Sequence, residues 1–309
     1  MKSICHKIKH ATNINEQLEL LKSRGMIICD EQKAKEVLMD IGYYRMGFYF
    51  FPFERSYPKL KNRNHIYSPG AEFSHAVALY YYDFDLRCIL LRYINRIEVA
   101  FRAHIIYELS NKYKNDPVWF INPNIVSQQF IQNFDKEIYN EKFRNNAIIF
   151  RHHNKYPNDK YAPAWKTIEL MTLGNVVNLY KSLKKIDDKR IICKCFGINQ
   201  SIIMENYMET IRVIRNICAH GFVLHDIILF HGIKNSPAGS FNYIEANTLS
   251  AILDLILYLI GTISLNRRDD FFTEIKAAST KAITNCHAIQ PIIEKNVKKF
   301  LNNGCTNKN

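Results

Sequence analysis

The longest regular pattern in the chain runs from about residue 72 to residue 113. Apolar residues recur there mostly every three or four positions, which places them on one face of an α-helix. The recurring residues are Phe73, Val77, Tyr80, Phe84, Leu91, Ile94, Ile97, Phe101, Ile105 and Leu109. A helix of this length needs other helices to cover its apolar stripe, and the sequence has no convincing series of alternating strands. We therefore predict an all-α fold.

Similar spacing predicts further helices before and after this one. Residues 14–24 and 31–40 read as two short amphipathic helices, with Asp30 placed to cap the second. The aromatic-rich segment 41–53 is expected to be too irregular for a helix, and a polar loop follows it. The remaining helices are predicted at about 125–149, 164–184, 188–196, 200–219, 246–265 and 270–301, with room for a short hairpin around 235–240.

The predicted elements divide the chain into three segments. Residues 1–70 form an N-terminal helical and aromatic extension, residues 71–265 a helical core, and residues 266–309 a C-terminal helix and tail. The most apolar stretch, 249–265, is interrupted by Asp254 and is shorter than the roughly 20 residues that span a bilayer. We expect a buried core helix there, no contact with a membrane and no secretion signal in the polar N-terminus.

Charge and cysteine usage narrow the class of protein. The 309 residues carry a formal net charge of +13, which favours a polyanionic partner such as nucleic acid, although a basic chain can also simply be soluble. The eight cysteines are scattered, and the close pair Cys193 and Cys195 has no second pair at zinc-binding spacing. Reduced, buried, structural thiols are expected, which points to the cytoplasm.

The segment 211–221 has the residue types that cleave RNA without a metal. Cleavage needs a base for the 2′-hydroxyl proton, an acid for the departing 5′-oxygen and a cation at the phosphate. His220 can serve as base or acid, and Arg215 can grip phosphate with two parallel hydrogen bonds. Five residues along an ideal helix rotate by roughly 140°, so the two side chains do not share one stripe. Either the helix ends near Ala219, with Gly221 as its C-terminal cap, or the long Arg215 side chain swings round. His220 could instead only complement the last carbonyls and the dipole of the helix.

Other candidates for RNA contact are weaker. His152 and Arg151 lie in a polar stretch and could touch phosphate or be solvated. Tyr44 and Arg45 could stack on unpaired bases or pack the N-terminal helices. His225 with Asp226 could orient the main site. No phosphate-cradling glycine loop, metal-type carboxylate cluster or nucleophile elbow occurs, so we expect no metal and no cofactor.

These segments resemble a known family as a set. Arg215-Asn216-Ile217-Cys218-Ala219-His220 resembles the R-N-x-x-A-H form of the HEPN signature. Residues 21–25, then 42–53, are similar to the opening of the bacterial Abi-like family of phage-defence proteins (AbiD/AbiF type), which carries a YRLSGYWYPF block. The same order continues through Glu98 with Arg102, residues 163–165, 173–177 and 196–197, so the resemblance covers roughly 15–265.

The resemblance implies a HEPN-type helical bundle with an N-terminal helical extension and a metal-independent RNase of abortive infection. Arg215 and His220 would be catalytic, with Asn216 orienting the substrate or the ring, and Arg102 would join the RNA-binding residues. A homodimer with facing signatures and a bound structured small non-coding RNA are implied as well. The family commonly continues with a second His and an Arg-Leu-Trp-Asn-like run, where this chain has Gly221-Phe222-Val223-Leu224-His225-Asp226.

Two other hypotheses about the function remain open at this point. The first is an RNA-binding protein whose HEPN core is a dimer and RNA platform without cleavage. The second is a purely structural helical protein with an incidental basic surface. Binding to RNA that falls steeply with salt would separate both RNA hypotheses from the structural one, because phosphate contacts release counterions.

Overall fold

The fold is all-α in the part of the chain that the structure describes. A computed structural model describes residues 10–59, 61 and 63–306, with the backbone alone for residues 303–306. Within these ranges the regular elements are α-helices and four short 3-10 turns, and β-pairing is limited to isolated bridges. The predicted fold class is confirmed.

The helices follow one another with short connections over most of the chain. Their bounds are α1 Ile14–Ser23, α2 Glu31–Asp40, α3 Tyr43–Phe50, α4 Phe73–Lys112, α5 Gln128–Glu137, α6 Glu141–Arg144, α7 Ala147–Lys155, α8 Ala164–Leu170, α9 Leu173–Ser182, α10 Ile186–Cys195, α11 Ser201–Ala219, α12 Leu249–Ile263, α13 Leu265–Asn285 and α14 Gln290–Thr306.

Three predicted long helices are wrong in their length, and in two of them polar residues cap new helices inside the predicted segment. The predicted segment 125–149 is interrupted before α6 and α7, where the side chains of Asn140 and Asn146 accept hydrogen bonds from the following helix amides. Thr172 caps α9 in the same way and separates it from α8. The predicted segment 270–301 consists of parts of α13 and α14 with a 3-10 turn, His287–Ile289, between them.

The aromatic segment 41–53 is helical, which corrects our expectation of irregular structure. Gly42 has a φ of 90° and precedes α3, and Pro52 lies in the 3-10 turn Phe51–Phe53 that follows it. Helical spacing buries Met46, Tyr49 and Phe50 in this segment. The aromatic residues around them hid this amphipathic pattern. No strand occurs among the described residues around 235–240, where Ser236 N–H donates to the Gly239 carbonyl in a turn.

Helix α4 begins and ends within one residue of its predicted bounds, but its first half buries a different face. The second half buries the expected stripe from Ile94 to Leu109, whereas Phe84 in the first half is exposed. The residues buried in the first half are Phe73, Ala76, Leu79, Tyr82, Leu86 and Leu90. Apolar residues occur on both faces there, so spacing alone did not identify the covered one.

The chain divides into two compact units. The first contains residues 10–85 and Ala277–Lys295. In it α1 packs on α2, and the buried Tyr49 hydroxyl donates to Asp83 Oδ2 at 2.9 Å. Tyr82 and Ser279, both buried, form a hydrogen bond of 3.1 Å. The polar loop after α3 is ordered around the buried carboxylate of Glu54, which accepts hydrogen bonds from Arg63.

The second unit contains Leu86–Lys276 and the residues from Asn296 onward. Its core includes Phe101 of α4, whose ring lies 5.5 Å from that of Tyr180 on α9 and 6.3 Å from that of Phe196. Helix α12 is buried along most of its length, as predicted for a core helix. No helix of the described residues is long and apolar enough to cross a bilayer. The three predicted chain segments stay a prediction. They divide the chain by sequence order, whereas the two units are defined by which residues pack together.

The cysteines are only partly as expected. Cys193 and Cys218 are buried free thiols, whereas Cys29 and Cys88 are exposed. Cys5 and the side chain of Cys305 lie outside the described residues. Burial raises the pKa of the Cys193 thiol, which keeps it protonated and unreactive.

Candidate functional site

Helix α11 carries the Arg-x4-His segment and is fixed along its apolar face. The residues buried on it recur at helical spacing and are Met204, Tyr207, Met208, Ile211, Ile214 and Cys218. This face packs against α9, α10 and α12. The opposite face is free to carry charged and polar groups, so the core of the second unit determines the direction in which the segment faces.

His220 is the C-cap of α11, in the geometry called a Schellman motif. The amide of Phe222 donates to the Ile217 carbonyl at 2.9 Å, and the amide of Gly221 donates to the Cys218 carbonyl at 3.2 Å. Gly221 has a φ of 67°, a left-handed conformation that glycine adopts without strain. The expected end of the helix at Ala219 with Gly221 as its cap is confirmed. The motif holds the exposed His220 at the helix end.

Arg215 is exposed and has no carboxylate partner among the described residues. Its Nη1 donates to the neutral Oδ1 of Asn216 at 3.4 Å, a long hydrogen bond. Arg212, one turn earlier, is different, because it donates to Glu209 through both Nε and Nη2. Of these two arginines on α11, Arg215 therefore keeps its charge available for an anion.

Arg215 and His220 do not contact each other. Both are described residues, and no hydrogen bond joins them. The helix continues through Ala219, so the two side chains leave it roughly 140° apart. The His220 ring instead lies 6.2 Å from the ring of Phe222. The chain thus presents a cation and an imidazole at one helix end, each accessible to an external ligand.

Buried residues hold the turn after His220 in place. Leu224 and His225 are buried, and Arg87 of α4, also buried, donates from Nη1 to the Phe222 carbonyl at 3.3 Å. His225 Nε2 lies 3.9 Å from Asp226 Oδ2. The burial of His225 makes it part of the support of the turn and removes it from direct contact with a surface ligand.

The other predicted RNA-binding residues fall into two groups. Tyr44, Arg45 and Arg151 are exposed, the first two on α3 of the first unit and Arg151 on α7 of the second. Arg102 is 8% exposed and donates to Glu98 and to the Met171 carbonyl. His152 is 4% exposed, and burial lowers the pKa of its imidazole. We drop Arg102 and His152 from the RNA-binding set, because a buried group cannot reach a surface ligand.

Sequence reasoning missed a group of exposed apolar residues in the segment that follows the site along the chain. They lie between α11 and α12, and they include Phe230 at 94% and Tyr243 at 91% exposure. The full set is Phe222, Ile228, Phe230, Tyr243 and Ile244, which we call the apolar rim. Buried Leu229, Ile233 and Phe241 lie among them, and a segment without regular structure gives no basis in the sequence for assigning faces.

The rim belongs to a segment whose backbone is fixed. The Leu229 amide donates to the Asn247 carbonyl at 2.9 Å, and the Ile233 amide donates to the Ala246 carbonyl at 2.8 Å. Asn206 of α11 donates to the Gly232 carbonyl at 3.0 Å. The exposed side chains are therefore held outward by an ordered frame.

The fold and the site together define the class of protein. In its described part the chain is all-helical, and near the end of α11 it carries an exposed arginine without a carboxylate partner and an exposed capping histidine. Within the described ranges, no three His, Cys, Asp or Glu side chains are grouped as a metal site requires. Residues 36–226 match the family of Abi-like proteins, so the chain belongs to this family. The matched range includes Arg215, Asn216 and His220, and membership implies a role in abortive infection, a form of phage defence. No curated protein and no solved structure shows significant similarity to the chain.

Proposed function

We propose that this protein is a metal-independent HEPN endoribonuclease of phage defence, of the AbiD/AbiF type, with Arg215 and His220 as its catalytic residues. One observation carries the proposal: Arg215 and His220 are both exposed at the end of α11, and Arg215 has no carboxylate partner in the described part of the chain. A guanidinium without a carboxylate partner and an accessible imidazole are groups that phosphodiester cleavage can use.

The reaction follows from these two groups. The 2′-hydroxyl oxygen attacks phosphorus, a base takes its proton, and the bond from phosphorus to the 5′-oxygen breaks as an acid protonates that oxygen. The products are a 2′,3′-cyclic phosphate and a 5′-hydroxyl. His220 acts as the base or the acid, and Arg215 stabilises the negative charge on the phosphate oxygens. Asn216, hydrogen-bonded to Arg215, orients the guanidinium or the substrate.

A second copy of the chain is part of this proposal. One chain supplies one such histidine, whereas the reaction has a base step and an acid step, and two facing copies would supply both. The apolar rim supports this arrangement, because a group of large exposed apolar residues commonly marks a protein interface. In Phe230→Ser we expect a shift to monomer in analytical ultracentrifugation. Phe150→Ser, at an exposed ring on α7, should leave the oligomeric state unchanged.

The RNA partners of the proposal are a cellular substrate and a structured small non-coding RNA. The charge of +13 favours both. Tyr44, Arg45 and Arg151 remain as exposed candidates for holding RNA away from the cleaved bond. Tyrosine rings stack on unpaired bases, and arginine binds phosphate.

The proposal is tested with purified intact protein, His220→Ala and the matched control His287→Ala, each incubated with RNA in the presence of a chelator of divalent cations. His287 is another exposed histidine, in the 3-10 turn between α13 and α14. We expect the intact protein and His287→Ala to produce 2′,3′-cyclic phosphate ends, and His220→Ala to bind RNA without cutting it. Equal cutting by His220→Ala, or loss of cutting in chelator, would contradict the proposed mechanism.

A specific observation supports a second candidate, an RNA-binding HEPN platform without catalysis. Arg215 and His220 leave α11 on different sides and do not contact each other. If the intact protein and His220→Ala bind the same RNA and neither cuts it, this second function replaces the first.

A further inference from the structure

We propose that Arg87 is the positioning residue for His220, and this inference rests on the proposed function. Arg87 lies on α4, far from α11 in sequence, and is 4% exposed. Its guanidinium reaches the turn that follows His220 and donates to the Phe222 carbonyl at 3.3 Å. Arg87 therefore acts on the catalytic histidine through the backbone and does not touch the substrate.

The hydrogen bonds at Phe222 give Arg87 this influence. The Phe222 amide is held by the Ile217 carbonyl inside the Schellman motif, and the Phe222 carbonyl is held by Arg87. Both backbone polar groups of this one residue are thus fixed, two residues after His220. The imidazole stands on a helix end, where the backbone frays most easily unless it has such partners.

The burial of Arg87 strengthens its hydrogen bond to the Phe222 carbonyl. A hydrogen bond from a charged guanidinium is stronger than one between neutral groups, and a surrounding of low dielectric increases its electrostatic part. A neutral side chain at position 87 would leave the Phe222 carbonyl with a weaker partner or none. Small displacements of a catalytic group cost much activity, since on the order of 100-fold can be lost for about 1 Å.

Arg102 supplies a matched control on the same helix. It is also buried, at 8% exposure, and it also donates to a loop carbonyl, that of Met171, at 3.0 Å. Its carbonyl belongs to the connection between α8 and α9 and not to the turn that carries His220. Replacement of either arginine removes a buried charge, but only replacement of Arg87 should move the imidazole.

The experiment compares Arg87→Gln, Arg87→Lys and Arg102→Gln with the intact chain by two readouts. The first is the ring resonance of His220 in protein labelled with 13C-histidine, assigned by its loss in His220→Ala. The second is the cleavage rate and the RNA dissociation constant. We expect Arg87→Gln to shift the resonance and to lower kcat roughly 10-fold or more with RNA affinity within about twofold. Arg87→Lys should recover part of the rate, because it keeps the charge.

The two readouts separate the failure of this inference from that of the proposed function. An unmoved His220 resonance in Arg87→Gln, or an equal loss of rate in Arg102→Gln, would overturn the role of Arg87. A moved resonance in a protein that cuts no RNA would refute the nuclease and leave the positioning of the turn intact. If Arg87→Gln does not fold, the comparison of Arg87→Lys with the intact chain decides by the same two readouts.

Discussion

Glu209 accepts hydrogen bonds from both Nε and Nη2 of Arg212, two turns before the end of α11. This pair lowers the pKa of the Glu209 carboxyl, mainly through the Arg212 hydrogen bond, so the carboxylate stays charged at neutral pH. Lys181 of α9 lies 4.0 Å from the same carboxylate. Glu209 thus neutralises the charge beside the proposed site, and Arg215 remains outside its reach as the available cation.

Replacement of Arg215 tests whether Arg215, and not Arg212, acts on the phosphate. Arg215→Ala should lower the cleavage rate on the order of 100-fold, because it removes the cation that stabilises the charged phosphate. Arg212→Ala serves as the matched control on the same helix and should change the rate little, since its charge is already paired. Single-turnover kinetics on one RNA would measure both. An equal loss in the two variants would show that the pairing with Glu209 does not determine which arginine acts.

Removal of the Glu209 charge should strengthen RNA binding. In Glu209→Gln, Arg212 and Lys181 lose their shared carboxylate and become available to phosphate. We expect tighter binding and a salt dependence of log K that is steeper by about one or two phosphate contacts. Glu19→Gln changes the net charge equally on α1, where Glu19 pairs with Lys22, and should change neither quantity. Unchanged affinity in Glu209→Gln would place the RNA elsewhere.

Gly221 should be needed for activity beyond its effect on stability. Gly221→Ala forces alanine into a left-handed conformation, which costs about 1–2 kcal/mol of unfolding free energy and loosens the turn beside His220. Gly25 ends α1 in the same Schellman geometry with a φ of 91°, so Gly25→Ala should cost similar stability. Denaturant unfolding and cleavage assays compare the two. We expect loss of activity in Gly221→Ala alone, and parallel losses would reduce Gly221 to a structural role.

Acid should destabilise the protein through His152. Burial, followed by the charge of Lys166, lowers the pKa of the His152 imidazole, so folding favours the neutral ring. The unfolded chain takes up that proton below a pH of about 6.5, and stability is lost as the pH falls from there through the folded-state pKa. His152→Gln should therefore show a flatter decrease of the melting temperature between roughly pH 7 and pH 5. An unchanged slope would mean that other groups dominate acid unfolding.

Local patterns were sufficient for four of the helices and for the end of α11. Periodicity predicted α1, α2, α4 and α11 within one or two residues, and Gly221 correctly marked the cap, because these features depend on neighbours in sequence. The residues at the helix end that carry the proposed chemistry were likewise identified in the sequence, and the structure shows them exposed.

The structural features that the sequence could not predict depend on contacts between distant segments. The hydrogen bond of Arg87 to Phe222 joins residues 135 positions apart, and the burial of His152 depends on the surrounding helices. The first half of α4 shows the same limit, since Phe84 has the right spacing for a core residue and is exposed. Periodicity identifies faces, but the packing of other helices determines which face is covered.

In the segment that carries the apolar rim, the buried and the exposed residues have different roles. Leu229 and Ile233 fasten it to the core, while Ile228 and Phe230 project from it. Substitutions at the projecting positions leave the buried residues in place, so they change the surface more than the packing. Under the proposed pairing of two copies through the rim, such substitutions change which chains can pair and keep the same helical scaffold.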